Sequence, residues 1–157
     1  MKRAALFTFT LFLVAIMYSS CKEDEYMDWK IINDQWLEQL KADYKDSTNF
    51  HETSSGLCYR VLYQGEKYDR QPNINSYLNV VYKGTLVDGS VFEENSTGMY
   101  LSSAIAGWKE GIPKMNDGGH YIFYIPYKLG YDTATTKSSI PPYSTLIFDV
   151  LLKKSIN

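Results

Sequence analysis

Apolar positions along the chain change their spacing twice. Ala4 to Met17 is an apolar stretch. From Trp29 to Lys45 the apolar residues then recur at helical spacing. Ile32, Trp36 and Leu40 stand four apart, Leu37 and Tyr44 widen the stripe, and Lys30, Glu38, Lys41 and Asp43 fall mostly elsewhere. This predicts one amphipathic helix, which Asn33 or Asp34 would cap if it starts late. Such a helix is too short to stand alone and must pack on something, either its own domain or, through Trp36, a second chain. Asp46 to Ser55 is polar and turn-prone, which predicts a linker.

Beyond the linker the period becomes two. Leu57, Tyr59, Val61 and Tyr63 alternate with Cys58, Arg60, Leu62 and Gln64 up to Gly65, the pattern of a strand. Tyr77 to Leu86 is a second β-rich run, closed by the turn pair Asp88-Gly89, and Val91-Phe92 begin another strand. Ala104 to Ile112 is a short helix stopped by Pro113. Gly118-Gly119 turn into a strand from Tyr121 to Ile125, Asp132 to Ser139 is a polar loop, and Ser144 to Lys153 is the last strand. Five or so strands with one short helix and no repeats predict an antiparallel α+β domain.

The first apolar run is preceded by Lys2 and Arg3 and followed by Ser19-Ser20-Cys21, the layout of a secretory signal peptide over residues 1–20. It is shorter than the roughly 20 residues a bilayer span needs. A Cys directly after two small residues resembles a bacterial lipoprotein processing site, with Cys21 acylated as the mature N-terminus; a plain signal peptide with an incidental Cys is the alternative. Tyr18 departs from the aliphatic residue usual there. Residue 22 is Lys rather than Asp, so the inner-membrane retention signal of enteric lipoproteins is absent. Lys22-Glu23-Asp24-Glu25 resembles an acidic surface-export signal, or is a solvated tether. The expected location is a lipid anchor in the bacterial envelope, on the outer membrane, facing periplasm or cell surface.

Composition narrows the field further. The 157 residues are 22% charged and 45% hydrophobic, with 16 basic and 18 acidic side chains and a formal charge of −2. Without Lys2 and Arg3 the balance is 14 basic to 18 acidic, so no electrostatic footprint for nucleic acid exists. Aromatics reach 15%, with 14 Tyr, which favours strands. With Cys21 acylated, Cys58 has no disulfide partner and reads as a small core residue. His51 and His120 have no partners at metal spacing, and no phosphate-cradling Gly loop appears. Neither metal nor cofactor is expected.

Several blocks taken together resemble one family. Val81-Tyr82-Lys83-Gly84-Thr85-Leu86-Val87-Asp88-Gly89-Ser90-Val91-Phe92, Ile105-Ala106-Gly107-Trp108-Lys109-Glu110-Gly111 and Ile140-Pro141-Pro142-Tyr143-Ser144-Thr145-Leu146-Ile147-Phe148-Asp149-Val150 resemble the FKBP family of peptidyl-prolyl cis-trans isomerases. Met115 with Gly118, Tyr124-Ile125-Pro126, Leu129-Gly130-Tyr131, and the opening Ser55 to Val61 fit as well. The resemblance covers about residues 54–153, in order. It implies a twisted antiparallel β-sheet wrapped around one short α-helix, and the amphipathic helix precedes it. The expected division is a signal peptide at 1–20, a lipidated tether and helix at 21–53, and an isomerase domain at 54–157.

By that resemblance Trp108 forms the floor of a proline pocket. Tyr82, Phe92 and Phe148 are its walls, and Ala104 and Ile105 lie beside them, with the Ile105 backbone N–H donating to a substrate carbonyl. Tyr131 places its hydroxyl on the carbonyl next to the rotating bond, Glu93 stands where the family has Asp, and Ile140 closes the rim. On strand spacing alone an aromatic such as Tyr82 or Phe92 reads as core. The chain departs from the family at Glu93, at the small Ala104, at Met99 in an aromatic position, and at Asp132 where Gly is usual. The implied partners are proline-containing polypeptides and, through Cys21, a membrane; oligomeric state stays open. The leading expectation is an isomerase for exported proteins. A catalytically weak binding or chaperone module, and an accessory subunit docked through the Trp29–Lys45 helix, are the competing ones.

Overall fold

Every strand pairing is antiparallel, and the alternation in the strands decides which face is buried. The computed structural model describes residues 26–66, 71–133 and 139–157. The signal peptide and Cys21 therefore lie outside the described residues. Helix α1 occupies residues 26–43. Strands β1 (Phe50–Glu52), β2 (Cys58–Tyr63), β3 (Tyr77–Thr85) and β4 (Val91–Tyr100) follow, then helix α2 (Ala106–Gly111), β5 (His120–Ile125) and β6 (Leu146–Ile156). The strands form one sheet in the order β1-β2-β5-β6-β3-β4. The segment expected as a linker contains β1, whose Phe50, His51 and Glu52 pair with Arg60, Tyr59 and Cys58, so the sheet begins before residue 54.

The sheet carries two apolar clusters. In β3 the inward residues Leu78, Val80 and Tyr82 alternate with less buried neighbours, and in β6 Leu146, Phe148, Val150 and Leu152 do the same. With Trp108, Ile112 and Met115 from α2 and the turn behind it, these side chains form the main core. A six-residue helix is not stable by itself, so α2 exists because the sheet buries Trp108 and Gly111. On a second cluster, Leu37 and Leu40 of α1 cover Cys58 and Tyr124, with Trp36, Ile122 and Ile147 around them. Cys58 is a free, buried thiol, and burial pushes its pKa up to about 11.

Helix α1 meets its own sheet through most of the stripe its hydropathy predicts, Trp36, Leu37, Leu40 and Tyr44, with one exchange. Ile32 is 50% exposed, whereas Asn33 is fully buried, so the buried line runs through Trp29, Asn33, Leu37 and Leu40. Neither Asn33 nor Asp34 is a cap, since both lie inside the helix. Trp36 is occupied by Tyr124, with ring centroids 6.0 Å apart.

Gly111 is where α2 comes closest to the sheet. A Cβ there would sit 2.5 Å from a ring carbon of Phe123. Alanine is worth about 1 kcal/mol over glycine in a helix, yet overpacking a core costs about 1–3 kcal/mol. Gly111→Ala is expected to lower the unfolding free energy in urea despite its better helix propensity; a stabilised variant would mean that α2 is free to lift from the sheet.

Candidate active site

Between α2 and the concave face of the sheet lies a cavity of about 230 Å³. Trp108, the second buried residue of α2, forms its floor, and the buried rings of Tyr82 and Phe148 flank it from β3 and β6. The three rings meet edge to face: Tyr82 to Trp108 at 5.1 Å and 85°, and Trp108 to Phe148 at 5.3 Å and 78°. Each such pair adds about 0.5–1.5 kcal/mol beyond the area it buries and fixes ring orientation. The Trp108 indole N–H has no hydrogen-bond partner among the described residues. An orphaned donor of this kind costs about 1–3 kcal/mol.

A register shift between Gly84 and Thr85 builds one wall. Gly84 pairs with Glu93 and Thr85 with Val91, which leaves Phe92 as the extra residue of a bulge. A bulge interrupts strict alternation, so both Phe92 and Glu93 serve the inner side. Phe92 lies edge-on to Phe148 at 5.4 Å and 86°. Its ring passes over Gly84, where a Cβ would come within 2.5 Å of it. Glu93 instead accepts a 2.5 Å hydrogen bond from the Tyr82 hydroxyl, so the longer acidic side chain still reaches its tyrosine. Burial, and then this bond, hold the Tyr82 hydroxyl well above the ordinary range for tyrosine.

The opposite rim is the turn leading into α2. Met99, Ser103, Ala104 and Ile105 line it. The Ile105 carbonyl accepts the N–H groups of Trp108 and Lys109, both at 3.1 Å, while the Ile105 N–H has no acceptor among the described residues. Tyr131 closes the third side. The next residue, Asp132, has φ of 54°, the left-handed backbone that favours glycine, which accounts for the departure at that position: Asp is tolerated there at a cost.

The structure brings Tyr82, Glu93, Ala104, Ile105, Trp108, Tyr131 and Phe148 to one cavity. Two other predicted site residues pack on the core beside that lining. Phe92 lies over Gly84 and edge-on to Phe148, which lines the cavity. Ile140 is buried in the main core. Ser103 was not anticipated; a lone exposed Ser before the helix turn carries no signal in sequence, and only the cavity reveals it. Among the described residues no group of three or more His, Cys, Asp or Glu side chains is placed to hold a metal ion.

Comparison with known proteins gives the same picture from an independent direction. Residues 68–153 match the family described as FKBP-type peptidyl-prolyl cis-trans isomerase. The chain is 39% identical over 107 residues to the probable FKBP-type peptidyl-prolyl cis-trans isomerase FkpA of Neisseria meningitidis, a stretch that is 65% of this chain and 39% of that protein. It is 38% identical over 105 residues to FkpA of Escherichia coli, covering 64% of this chain and 38% of that one. The match thus spans well under half of these curated relatives. The crystal structure of Escherichia coli FkpA superposes with a TM-score of 0.79 at 27% identity, over 95% of this chain and 71% of that one.

The raised tyrosine pKa values give stability an alkaline limit. Burial raises Tyr82, and it pushes Tyr121 up to about 12. In the unfolded chain both lose their protons near pH 10. Above that pH the unfolded state binds fewer protons than the folded one, so their contribution is complete below about pH 10 and is lost as pH rises toward the folded values. Unfolding free energy is expected to fall from about pH 10 upward, and Tyr82→Phe or Tyr121→Phe to flatten that fall in urea titrations.

Proposed function

The chain belongs to the FKBP-type peptidyl-prolyl cis-trans isomerase family, and on that premise we propose that it catalyses rotation about X-Pro bonds in exported polypeptides. The observation that carries the reading is the buried Trp108–Tyr82–Phe148 floor, which sits beside one unpaired backbone donor. Rotation about a peptide bond is opposed by a barrier of about 18–20 kcal/mol because conjugation is lost, and uncatalysed X-Pro exchange takes tens of seconds or longer. No covalent step is needed; a catalyst has only to bind the twisted amide better than the planar one. The planar amide has the larger dipole and the better hydration, so a dry apolar floor favours the twisted form.

In this reading the proline ring rests on Trp108 between Tyr82 and Phe148. The Ile105 N–H donates to a substrate carbonyl and fixes the peptide's register. The Tyr131 hydroxyl donates to the carbonyl next to the rotating bond. Glu93, held by Tyr82, presents negative charge that disfavours the planar amide, whose carbonyl oxygen carries more negative charge than that of the twisted form. Ala104 and Met99 leave the rim lined by one small and one flexible side chain, which favours tolerance of varied residues before proline.

We further assign residues 1–20 as a signal peptide and Cys21 as a lipidated N-terminus that holds the domain at the outer membrane. No helix among the described residues is long and apolar enough to cross a membrane, so attachment in this reading rests on the lipid. Cys21→Ser is expected to abolish incorporation of radiolabelled palmitate and to release the protein from the membrane fraction; retention of the label would overturn the assignment.

Cis-trans exchange of a short Leu-Pro peptide, followed by NMR with the full chain in detergent, tests the catalytic reading. A thousandfold acceleration corresponds to about 4 kcal/mol of barrier. Trp108→Leu is expected to remove most of it, and Tyr131→Phe to reduce it by about tenfold, the worth of one hydrogen bond. Peptide binding without acceleration would instead establish a proline-recognition or chaperone module.

A further inference from the structure

Asn33 is a polar residue on the buried face of α1, a position that hydropathy does not explain. An asparagine inside a helix is a weak helix former, and burying its amide is costly unless its polar atoms are paired. Here it is fully buried and paired at both ends. Its Nδ2 donates to the Trp29 carbonyl at 2.8 Å, and its Oδ1 accepts the backbone N–H of Thr145 at 2.7 Å. One turn earlier, the Trp29 indole N–H donates to Ser144 Oγ at 2.9 Å. Ser144 in turn donates to the Pro141 carbonyl at 2.7 Å. Two neighbouring residues of the Pro141–Thr145 segment are therefore bonded to α1, across more than a hundred residues of sequence.

That segment leads back to the cavity. Tyr143 has φ of 63°, and with Asp132 it makes up the pair of non-glycine residues at positive φ among the described residues. The two are bonded to each other, the Tyr143 N–H donating to the Asp132 carbonyl at 3.1 Å, and Asp132 donates its own N–H to the Tyr127 carbonyl at 2.8 Å. The Tyr143 ring stands edge-on to that of Tyr127 at 5.4 Å, and Lys30 of α1 lies 5.8 Å from the Tyr127 ring centre. Strained backbone of this kind persists only where its surroundings hold it. The turn so held carries Tyr131, which lines the cavity.

We propose that α1 clamps the rim of the active site: Asn33 and Trp29 are positioning residues that hold the Pro141–Thr145 segment and, through the Tyr143–Asp132 bond, fix Tyr131 for the incoming proline-containing peptide. The inference rests on the isomerase reading for its substrate, but the clamp itself is a property of the chain. The helix is thus part of the substrate site as well as a cover for the outer face of the sheet. The effect belongs to the rim and to Tyr131, because the clamp leaves the Trp108 floor alone.

The test uses the full chain in detergent and three variants. Asn33→Ala removes the amide, Trp29→Phe keeps a ring but loses the indole N–H, and Ser144→Ala removes its acceptor. For each, kcat/KM for the Leu-Pro peptide is expected to fall by about tenfold or less, the effect of losing the Tyr131 hydroxyl itself. The Trp29→Phe/Ser144→Ala double variant is expected to match Ser144→Ala, which already cuts the bond to Trp29 as well as its own to Pro141. Amide hydrogen exchange at Tyr143 and Asp132 is expected to quicken in Asn33→Ala while that of Val80 in β3 does not change. Parental kcat/KM and parental exchange at Tyr143 would overturn the proposal, as would exchange that quickens uniformly across the sheet or double-variant effects that multiply. If the parent chain binds the peptide without accelerating it, the isomerase reading fails; the clamp is then judged by peptide Kd and by the exchange at Tyr143.

Discussion

The edge-to-face contact of Trp108 with Tyr82 and Phe148 is the constraint on which the rest of the molecule depends. A helix of six residues has too few internal hydrogen bonds to persist in water, and α2 has no side-chain cap. It is held because its one large ring is buried against two others on the sheet. That requirement positions the turn before it, where Ala104 and Ile105 stand, and so places the free Ile105 N–H at the cavity mouth. The same rings that stabilise the helix floor the cavity, so stability and candidate chemistry share one set of atoms.

The sheet is covered on both faces by different means. On the inner face α2 and its following turn supply a continuous core with β3, β5 and β6. On the outer face α1 covers the β1-β2-β5 end around Cys58 and Tyr124 and reaches Ile147 of β6. The far end of that face stays solvated: Asp149 of β6 and His120 of β5 form an exposed pair at 2.6 Å. Such a pair contributes little to stability. The anchoring that matters comes from the buried Asn33 amide, whose loss would leave the Thr145 N–H without its acceptor.

The chemistry asked of this site is modest in covalent terms and demanding in shape. In the proposed reading a peptide bond before proline is rotated, and rotation needs neither nucleophile nor metal. What helps is a dry floor, a donor in register and a fixed rim. The chain obtains the first from its core, the second from an irregular turn and the third from a helix that precedes the matched family region. Its curated relatives are much longer than the matched stretch.

Much of this was legible before any coordinates. Period two in Tyr77–Leu86 and Ser144–Lys153 located β3 and β6 to within a few residues, and Pro113 marked the end of α2. The ordered blocks around Tyr82, Trp108 and Phe148 identified the family and most of the cavity lining, because those residues are bound to local patterns that sequence displays directly. Four things depended on tertiary structure. β1 emerged from a polar stretch because Phe50–Glu52 found a partner in β2. The settings of Phe92 and Ile140 came from a bulge and from core packing, not from residue type. Asn33 displaced Ile32 from the buried face of α1, because a backbone N–H at Thr145 had to be satisfied there. Sequence determined the periodicity, the aromatic inventory and the family; which polar atom meets which across a hundred residues was decided only when the chain closed on itself, because hydrogen bonds depend on distance in space and hydropathy patterns on distance along the chain.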